Sequence, residues 1–267
     1  MFYKGIFKEI IEDKNINVNE VKFYEGHYAD LYQNTVKTSS YDIEVYQKQA
    51  AWVGRNILEL ACGSGRVGIS LAKAGYNVTG IDISEDMLNI YKERLSKEAG
   101  RVKNRVRIMQ GDITNFSVGE KFDLIILPAI TICLFNDEQI QKILKCVSEH
   151  LTENGRFAFD WVKYEADRFF RNCTLPFTIR WSNEDTYNIV LIQEFLIPEC
   201  QEILVNMYGE IIRGNETIRN IGYTKKRIIT QEILKNNIDN SPLKLQNIIE
   251  IQNSDYEQGF IFYILGK

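Results

Sequence analysis

Histidine, proline and cysteine are scarce in this chain of 267 residues, which contains 2 histidines, 4 prolines and 5 cysteines. The cysteines are odd in number and far apart, and they form no Cys-x-x-Cys pair. This spacing provides neither a disulfide framework nor the paired ligands of a structural zinc site. We therefore predict no metal site, and we expect a reducing, cytoplasmic setting.

Long apolar runs, a leader-like start and an excess of positive charge are also lacking. No segment approaches the roughly 18 consecutive apolar residues of a membrane span, and residues 1–11 show no secretory signal. The 36 acidic residues outnumber the 32 basic ones, whereas nucleic-acid-binding domains carry a basic footprint. The short basic run at residues 225–227 is interpreted as a solvated turn. We expect no membrane and no nucleic acid among the partners.

Apolar segments alternate with segments of helical spacing from Asn56 onward. The predicted strands are Asn56–Ala61, Tyr76–Asp82, Arg105–Gln110, Phe122–Leu127 and Gly155–Val162, and the predicted helices are Arg66–Ala74, Glu85–Lys97 and Asp137–Leu151. Gly75 is a typical helix stop and Ser84 is a favourable N-cap. Alternating strands and helices predict a parallel sheet with right-handed crossovers.

The pattern changes to consecutive strands beyond about residue 165. These predicted strands are Phe177–Trp181, Tyr187–Ile197, Ile203–Arg213 and Thr217–Tyr223. Turn residues separate them, so they predict a small antiparallel sheet. Thr230 is placed to cap a helix through Asn236, and Leu243–Gln252 with Gln258–Leu265 predict a closing hairpin.

Aromatic side chains are frequent in the first 50 or so residues, which have helical character. Tyr24, Tyr28 and Tyr32 are four residues apart, so a helix would place them on one face. Two interpretations are open. The face is either a stripe that packs against the main domain or an aromatic lid over a ligand. In the second interpretation Tyr24 and Tyr32 contact a cofactor, and Tyr28 lies at the reacting group.

The strongest local motif lies between the first predicted strand and the following helix, and it reads Glu59-Leu60-Ala61-Cys62-Gly63-Ser64-Gly65-Arg66. Glycines allow a tight turn and close approach of a ligand to the backbone. With Gly68, the glycines also spell the dinucleotide fingerprint, and Asp82 follows at the end of the next strand. A carboxylate there accepts hydrogen bonds from ribose hydroxyls. Alone, this loop does not separate an NAD-dependent oxidoreductase from other nucleoside-binding enzymes.

The spacing of the motif resembles that of the class I S-adenosylmethionine (SAM) methyltransferases over residues 56 to about 162. In that family an acidic residue stands two positions before a small residue and a Gly-x-Gly, as do Glu59, Ala61, Gly63 and Gly65 here. The resemblance implies SAM as the cofactor, with Asp82 on its ribose.

Two further segments resemble the parts of the family's motifs that contact the adenine ring. The family sandwiches adenine between the residue after the acid and a downstream Met, which implies these roles for Ile83 and Met87. Asp112 and Ile113 match the family's contacts to the adenine amino group and to a ring nitrogen. Pro128 opens the loop that in the family holds the methionine part and faces the substrate.

Candidates for the reaction itself lie after the fifth predicted strand. Asp160 and Trp161 fall at the carboxyl end of a parallel strand, where open α/β sheets place their sites. We expect Asp160 to orient or charge-pair with an amine, and Trp161 to pack a substrate or stabilise a cation through its ring face. Some amino-sugar N-methyltransferases of this family carry a His in the loop after the fourth strand. Residues 129–134 contain none, and this departure counts against an amino-sugar acceptor.

The predicted fold is α/β: a Rossmann-like, mostly parallel, seven-stranded sheet with an N-terminal helical lid and a small antiparallel cap after strand five. The predicted boundaries are 1–50 for the lid, 51–163 for the SAM-binding domain and 164–228 for the cap, with 229–267 completing the core sheet. The predicted function is methyl transfer from SAM to an amine of a small molecule or modified peptide natural product. An NAD(P)-dependent oxidoreductase and a non-catalytic SAM-binding protein are the alternatives. The oligomeric state is left open.

Overall fold

The computed structural model describes residues 2–26, 29, 41–163, 176–183, 185–252 and 259–267. Within these residues the helices are α1 Ile6–Glu12, α2 Ile43–Val53, α3 Arg66–Lys73, α4 Glu85–Ser96, α5 Gly100–Lys103, α6 Asp137–His150 and α7 Gln231–Asp239. The strands are β1 Asn19–Glu20, β2 Asn56–Leu60, β3 Asn77–Asp82, β4 Val106–Gln110, β5 Phe122–Leu127, β6 Leu151–Val162, β7 Phe177–Asn183, β8 Thr186–Ile197, β9 Glu202–Arg213, β10 Glu216–Arg227, β11 Lys244–Ile251 and β12 Phe260–Gly266.

The described residues divide into two compact units. One contains the described parts of 1–38 and 164–228, and the other those of 39–163 and 229–267. This division differs from the predicted boundary at residue 50, because α2 belongs with the second unit. The helix buries Val45, Tyr46 and Ala50 in one of that unit's apolar clusters, whereas α1 and β1 belong with the first unit.

A seven-stranded sheet forms the centre of the second unit, in the order β11-β12-β6-β5-β2-β3-β4. Strands β2 to β6 are parallel, and β12 runs antiparallel to both β6 and β11. The sequence therefore predicted the strand number and the mostly parallel character correctly. The parallel strands end together at what we call the carboxyl edge, and the strand order reverses beside β2, where open α/β sheets bind ligands.

Apolar clusters on both faces explain why the central strands read as continuous hydrophobic runs. Leu58, Ile125 and Phe157 belong to one cluster, while Ile57 and Leu124 belong to another. Successive side chains of a strand point to opposite faces, so a strand covered on both sides is apolar at every position. Strand β6 begins earlier than predicted, at Leu151 directly after α6.

The first unit contains a five-stranded sheet in the order β1-β10-β9-β8-β7. Strands β7 to β10 are antiparallel meander strands, as predicted, and β1 pairs in parallel with β10. The basic run at residues 225–227 lies within β10 and not in a turn. Lys225 donates to Glu202 on the adjacent strand β9, and Lys226 donates to Glu194 on β8, the next strand beyond it.

No helix within the described residues is long and apolar enough to cross a membrane. The same residues hold no cluster of three or more side chains of the types that ligate metals.

Candidate cofactor site

The glycine turn between β2 and α3 adopts a backbone that requires glycine. Gly63 and Gly65 have φ values of 52° and 74°, in the left-handed region. A Cβ at Gly65 would lie 2.2 Å from ring atoms of Tyr91, which leaves no room for any side chain. The Arg94 guanidinium donates to the carbonyl of Ser64 at 2.9 Å and fixes the turn from outside.

Asp82 ends β3 beside this turn, and its carboxylate ties two loops together. Oδ2 accepts the Gly63 N–H at 2.8 Å, and Oδ1 accepts the Ser84 N–H at 2.9 Å. Burial raises the pKa of Asp82, and these N–H donors oppose that rise. Each carboxylate oxygen has a second lone pair, so the group can still accept hydrogen bonds from ligand hydroxyls.

An apolar surface adjoins Asp82. The side chain of Ile83 is 69% exposed, which is high for a large aliphatic residue, and its carbonyl accepts from the Gln110 amide at 3.2 Å. Met87 is buried, and its terminal methyl lies 3.1 Å from the position that a Cβ of Gly63 would take. The exposed aliphatic surface of Ile83 suits a flat aromatic ring, while Met87 packs beneath the glycine turn.

Asp112 and Ile113 follow β4 at the same carboxyl edge. Asp112 is exposed, and its Oδ1 accepts from the N–H and hydroxyl of Thr114, at 2.8 and 2.7 Å. Ile113 is buried in the core. The turn therefore presents an accessible carboxylate next to an anchored apolar residue.

Glu59 is buried in β2, and among the described residues its Oε2 has no hydrogen-bond partner, nor has the Tyr91 hydroxyl. Burial raises the pKa of Glu59 to about 8, although Arg66 and the backbone N–H of Gly68 act in the opposite direction. Ala61, two residues on, has a positive φ of 50°. The backbone at the start of the turn is thus strained at Ala61, and the Glu59 carboxyl just before it has one oxygen without a hydrogen bond among the described residues.

The loop after β5 borders the site on the other side of β2. Pro128 is buried, and its carbonyl accepts from the Thr131 hydroxyl at 2.5 Å. Ala129 and Ile130 have φ values of 64° and 58°, a conformation that costs about 1–3 kcal/mol for each such residue. The Ile130 N–H donates to Oδ2 of Asp160 at 2.9 Å.

The structure corrects the assignment of Asp160 and Trp161 to substrate contact. Asp160 is 0% exposed, and it also accepts from the hydroxyls of Tyr41 and Tyr46, each at 2.7 Å. Trp161 is 1% exposed and packs edge-on against Tyr263, with ring centroids 5.6 Å apart. Both side chains are therefore part of the core, which argues against direct contact with a substrate.

The part of the chain that carries these loops is similar to known methyltransferases. Residues 57–155 match the family model described as a methyltransferase domain. A putative methyltransferase from Geobacillus sp. strain WCH70 is 29% identical over 157 residues, which are 56% of this chain and 62% of that protein. The chain thus covers less than two thirds of that relative's length.

Residues 57–155 are therefore similar to a methyltransferase domain, and we call them the methyltransferase domain for that similarity.

Solved structures agree at the level of the fold. An amino pentose methyltransferase from Micromonospora echinaspora, with SAM bound, has a TM-score of 0.67 at 14% identity, covering 91% of this chain and 98% of its own. A glycopeptide N-methyltransferase in complex with SAM has a TM-score of 0.59 at 16% identity, covering 84% and 92%. The chain thus has the fold of these two methyltransferases, both of which were solved with SAM bound.

The topology also argues against the oxidoreductase alternative. The dinucleotide-binding fold is mostly parallel, with the strand order 3-2-1-4-5-6. Here the place beyond β6 is taken by β12, which runs antiparallel. None of the comparisons supports a nicotinamide cofactor.

The residues of the methyltransferase domain fit SAM. The molecule joins an adenine and a ribose diol to an amino-acid tail through a positively charged sulfonium. Ile83 offers exposed apolar surface for the ring, and Asp82 offers carboxylate lone pairs for the diol. Oε2 of the buried Glu59 carboxyl has no hydrogen-bond partner among the described residues, so it is open to a further hydrogen bond.

The predicted aromatic face is only partly within the described residues. Tyr24 lies in a turn of the other unit and packs against Phe23, with ring centroids 5.1 Å apart. Tyr28 and Tyr32 lie outside the described residues. Their proposed roles, and that of Tyr24 toward a cofactor, stay predictions.

Sequence reasoning missed Tyr41 and Asp42, which bond to Asp160 and Arg66. The one available signal was Arg66 itself, since an arginine directly after a buried glycine turn requires a counter-ion.

Proposed function

We propose that this protein transfers a methyl group from SAM to an amine of a small molecule or a modified peptide natural product. The observation that carries the proposal is the convergence of the glycine turn, Asp82, Ile83 and Asp112 at one edge of a methyltransferase-type sheet. Parallel strands bring together loops that are far apart in sequence, so this convergence is the expected outcome of the fold.

Each residue has a defined task in this proposal. Asp82 accepts from the ribose hydroxyls, Ile83 and Met87 flank the adenine, and Asp112 accepts from its amino group. The N–H of Ile113 donates to a ring nitrogen. When bound, SAM supplies a methyl group that is already activated for displacement by its attachment to a sulfonium.

The remaining work of the protein is to position the acceptor and exclude water, which accounts for large rate effects without a dedicated base. The turn at Gly63 and Gly65 and the loop at Pro128 would hold the amino-acid tail between them. Tyr28 is proposed at the reacting group on sequence grounds alone.

The amine acceptor is supported by the solved relatives. The amino pentose methyltransferase and the glycopeptide N-methyltransferase align over most of this chain, so they share more than the cofactor domain. The acidic balance of the chain, with a net charge of −4, also suits a basic acceptor better than a nucleic acid.

The cofactor assignment is tested by calorimetry with S-adenosylhomocysteine and NAD, on both the wild type and the Asp82→Ala variant. We expect the wild type to bind only the first ligand, and the variant to bind it about tenfold or more weakly, because charged hydrogen bonds are lost.

Asp123→Ala is a matched control. Asp123 also accepts two backbone N–H groups, those of Arg55 and Asn56, but it does so at the opposite edge of the sheet. Both variants should lose similar stability, and only Asp82→Ala should lose affinity. Unchanged affinity in Asp82→Ala, or equal loss in the two variants, would contradict the ribose role.

The reaction is tested with labelled SAM and a panel of acceptors: amino sugars, glycopeptides with a free α-amine, glycine-type amines and hydroxyl analogues of each. We expect transfer to amines and not to the matched hydroxyl compounds. Transfer to hydroxyls alone would overturn the amine assignment, and binding without transfer to any acceptor would favour the non-catalytic alternative.

A further inference from the structure

Two consecutive residues just before α2, Tyr41 and Asp42, reach the two loops that border the cofactor site. The Tyr41 hydroxyl donates to Oδ2 of Asp160 at 2.7 Å. Asp42 is 0% exposed, and each of its carboxylate oxygens accepts from one guanidinium nitrogen of Arg66 at 2.6 Å.

Each contact leads to a different loop. Arg66 is the first residue of α3 and directly follows Gly65, so the Asp42 pair fixes the end of the glycine turn. Oδ2 of Asp160, which Tyr41 contacts, also accepts the Ile130 N–H at 2.9 Å. The two loops follow β2 and β5, which are neighbours in the sheet.

The arrangement is costly, which indicates that it does more than fill the core. Ala129 and Ile130 are consecutive non-glycine residues with positive φ, so the loop needs external bonds to hold its shape. A bidentate carboxylate–guanidinium pair this deep in a protein gives geometric precision at the expense of desolvation. Tyr41 is further held by stacking on Phe260, with ring centroids 3.7 Å apart.

We propose that Tyr41 and Asp42 are positioning residues that hold the glycine turn and the post-β5 loop in the spacing that SAM binding requires. This inference rests on the proposed function, because it assigns a role in the same site. Neither residue is proposed to touch the cofactor; both act through Arg66 and Asp160.

Helix α2 provides a matched control for each of these two residues. Tyr46 donates to the other oxygen of Asp160, Oδ1, and not to the oxygen that holds Ile130. Glu44 forms an exposed pair with Lys48 on the same helix. Tyr46→Phe and Glu44→Gln therefore repeat the chemistry of Tyr41→Phe and Asp42→Asn away from the two loops.

The experiment measures S-adenosylhomocysteine affinity by calorimetry and backbone amide exchange by mass spectrometry in the cofactor-free protein. We expect Asp42→Asn to bind about tenfold or more weakly and Tyr41→Phe several-fold more weakly, consistent with loss of charge-assisted hydrogen bonds. Exchange should rise at residues 62–66 in Asp42→Asn and at residues 129–133 in Tyr41→Phe. The two controls should change neither quantity.

Two results would overturn the inference. One is unchanged affinity and unchanged loop exchange in a folded Tyr41→Phe or Asp42→Asn protein. The other is an equal effect in the control variants. If Asp42→Asn fails to fold, Tyr41→Phe decides alone. Failure of the wild type to bind S-adenosylhomocysteine would instead overturn the proposed function.

Discussion

At the scale of single residues, buried acids are the main ionisable groups of the second compact unit. Asp42, Glu59, Asp82 and Asp160 are all less than 9% exposed, and Arg66 is the cation among them. Burial raises the pKa of Glu59 to about 8 and that of Asp160 to about 6. Asp42 forms an ion pair with Arg66. The carboxylates of Asp82 and Asp160 instead accept hydrogen bonds from N–H and O–H donors. Such a concentration of raised pKa values is typical of a functional site.

Glu59→Gln should change the pH dependence of stability in a defined direction. The pKa of Glu59 is higher in the folded protein than its ordinary 4.5, so its contribution to stability is present at low pH and falls as pH rises toward about 8. Glutamine does not titrate. The difference in free energy of unfolding, variant minus wild type, should therefore increase between about pH 5 and pH 8. The increase should be at most about 1.4 kcal/mol per pH unit.

Urea unfolding of the cofactor-free proteins at several pH values measures this gain. Glu44→Gln is the control, because the pKa of exposed Glu44 is lowered by Lys48 and so lies below this window. Parallel curves for Glu59→Gln and wild type across the window would show that Glu59 is ionised in the fold.

At the scale of elements, local signals predicted where most strands and helices lie. The apolar run Phe122–Leu127 has the predicted bounds, and Thr230 caps its helix by accepting from the Ile233 N–H. Both signals depend on neighbouring residues alone. The early start of β6 was not predictable in this way. Leu151 fits the apolar spacing of the preceding helix, and residues 152–154 are polar enough to indicate a turn; in the structure Leu151 pairs with Phe122 of β5.

Gly65→Ala tests the structure of the glycine turn. Gly75→Ala is a suitable control, since Gly75 has a φ of 100° but nothing lies within 4 Å of its would-be Cβ. The control should lose about 1–2 kcal/mol from backbone strain alone. Gly65→Ala should lose a further 1–3 kcal/mol or so from the overlap with Tyr91, as measured by urea unfolding. Equal losses would mean that the ring of Tyr91 moves freely away.

At the scale of the whole molecule, residues 229–267 belong to the core of the second unit, together with residues 39–163. Strand β12 lies between β6 and β11, and Phe262 is 0% exposed against Tyr46 of α2. The seven-stranded sheet thus combines strands that precede β7–β10 in the sequence with strands that follow them. Strand β12 pairs with β6 from Phe157 to Val162, so we expect the sheet to depend on it.

Phe262→Ala should therefore destabilise the protein strongly, by about 3–5 kcal/mol as for other large-to-small core substitutions. Leu245→Ala on edge strand β11 is the control, because Leu245 is 44% exposed, and its loss should be about 1 kcal/mol or less. Thermal or urea unfolding gives both values. A small effect of Phe262→Ala would show that the C-terminal strand is dispensable to the fold.

The sequence alone determined the order of strands and helices and the cofactor-type spacing from Glu59 to Asp112. These depend on periodicity and on distances along the chain, and parallel strands then bring the acidic strand ends to one edge. Only the tertiary structure decided what Asp160 and Trp161 do. Asp160 bonds to Tyr41, 119 residues away, and Trp161 packs against Tyr263 of β12. Burial at a strand end is set by elements that arrive from distant parts of the chain, and no local pattern records it.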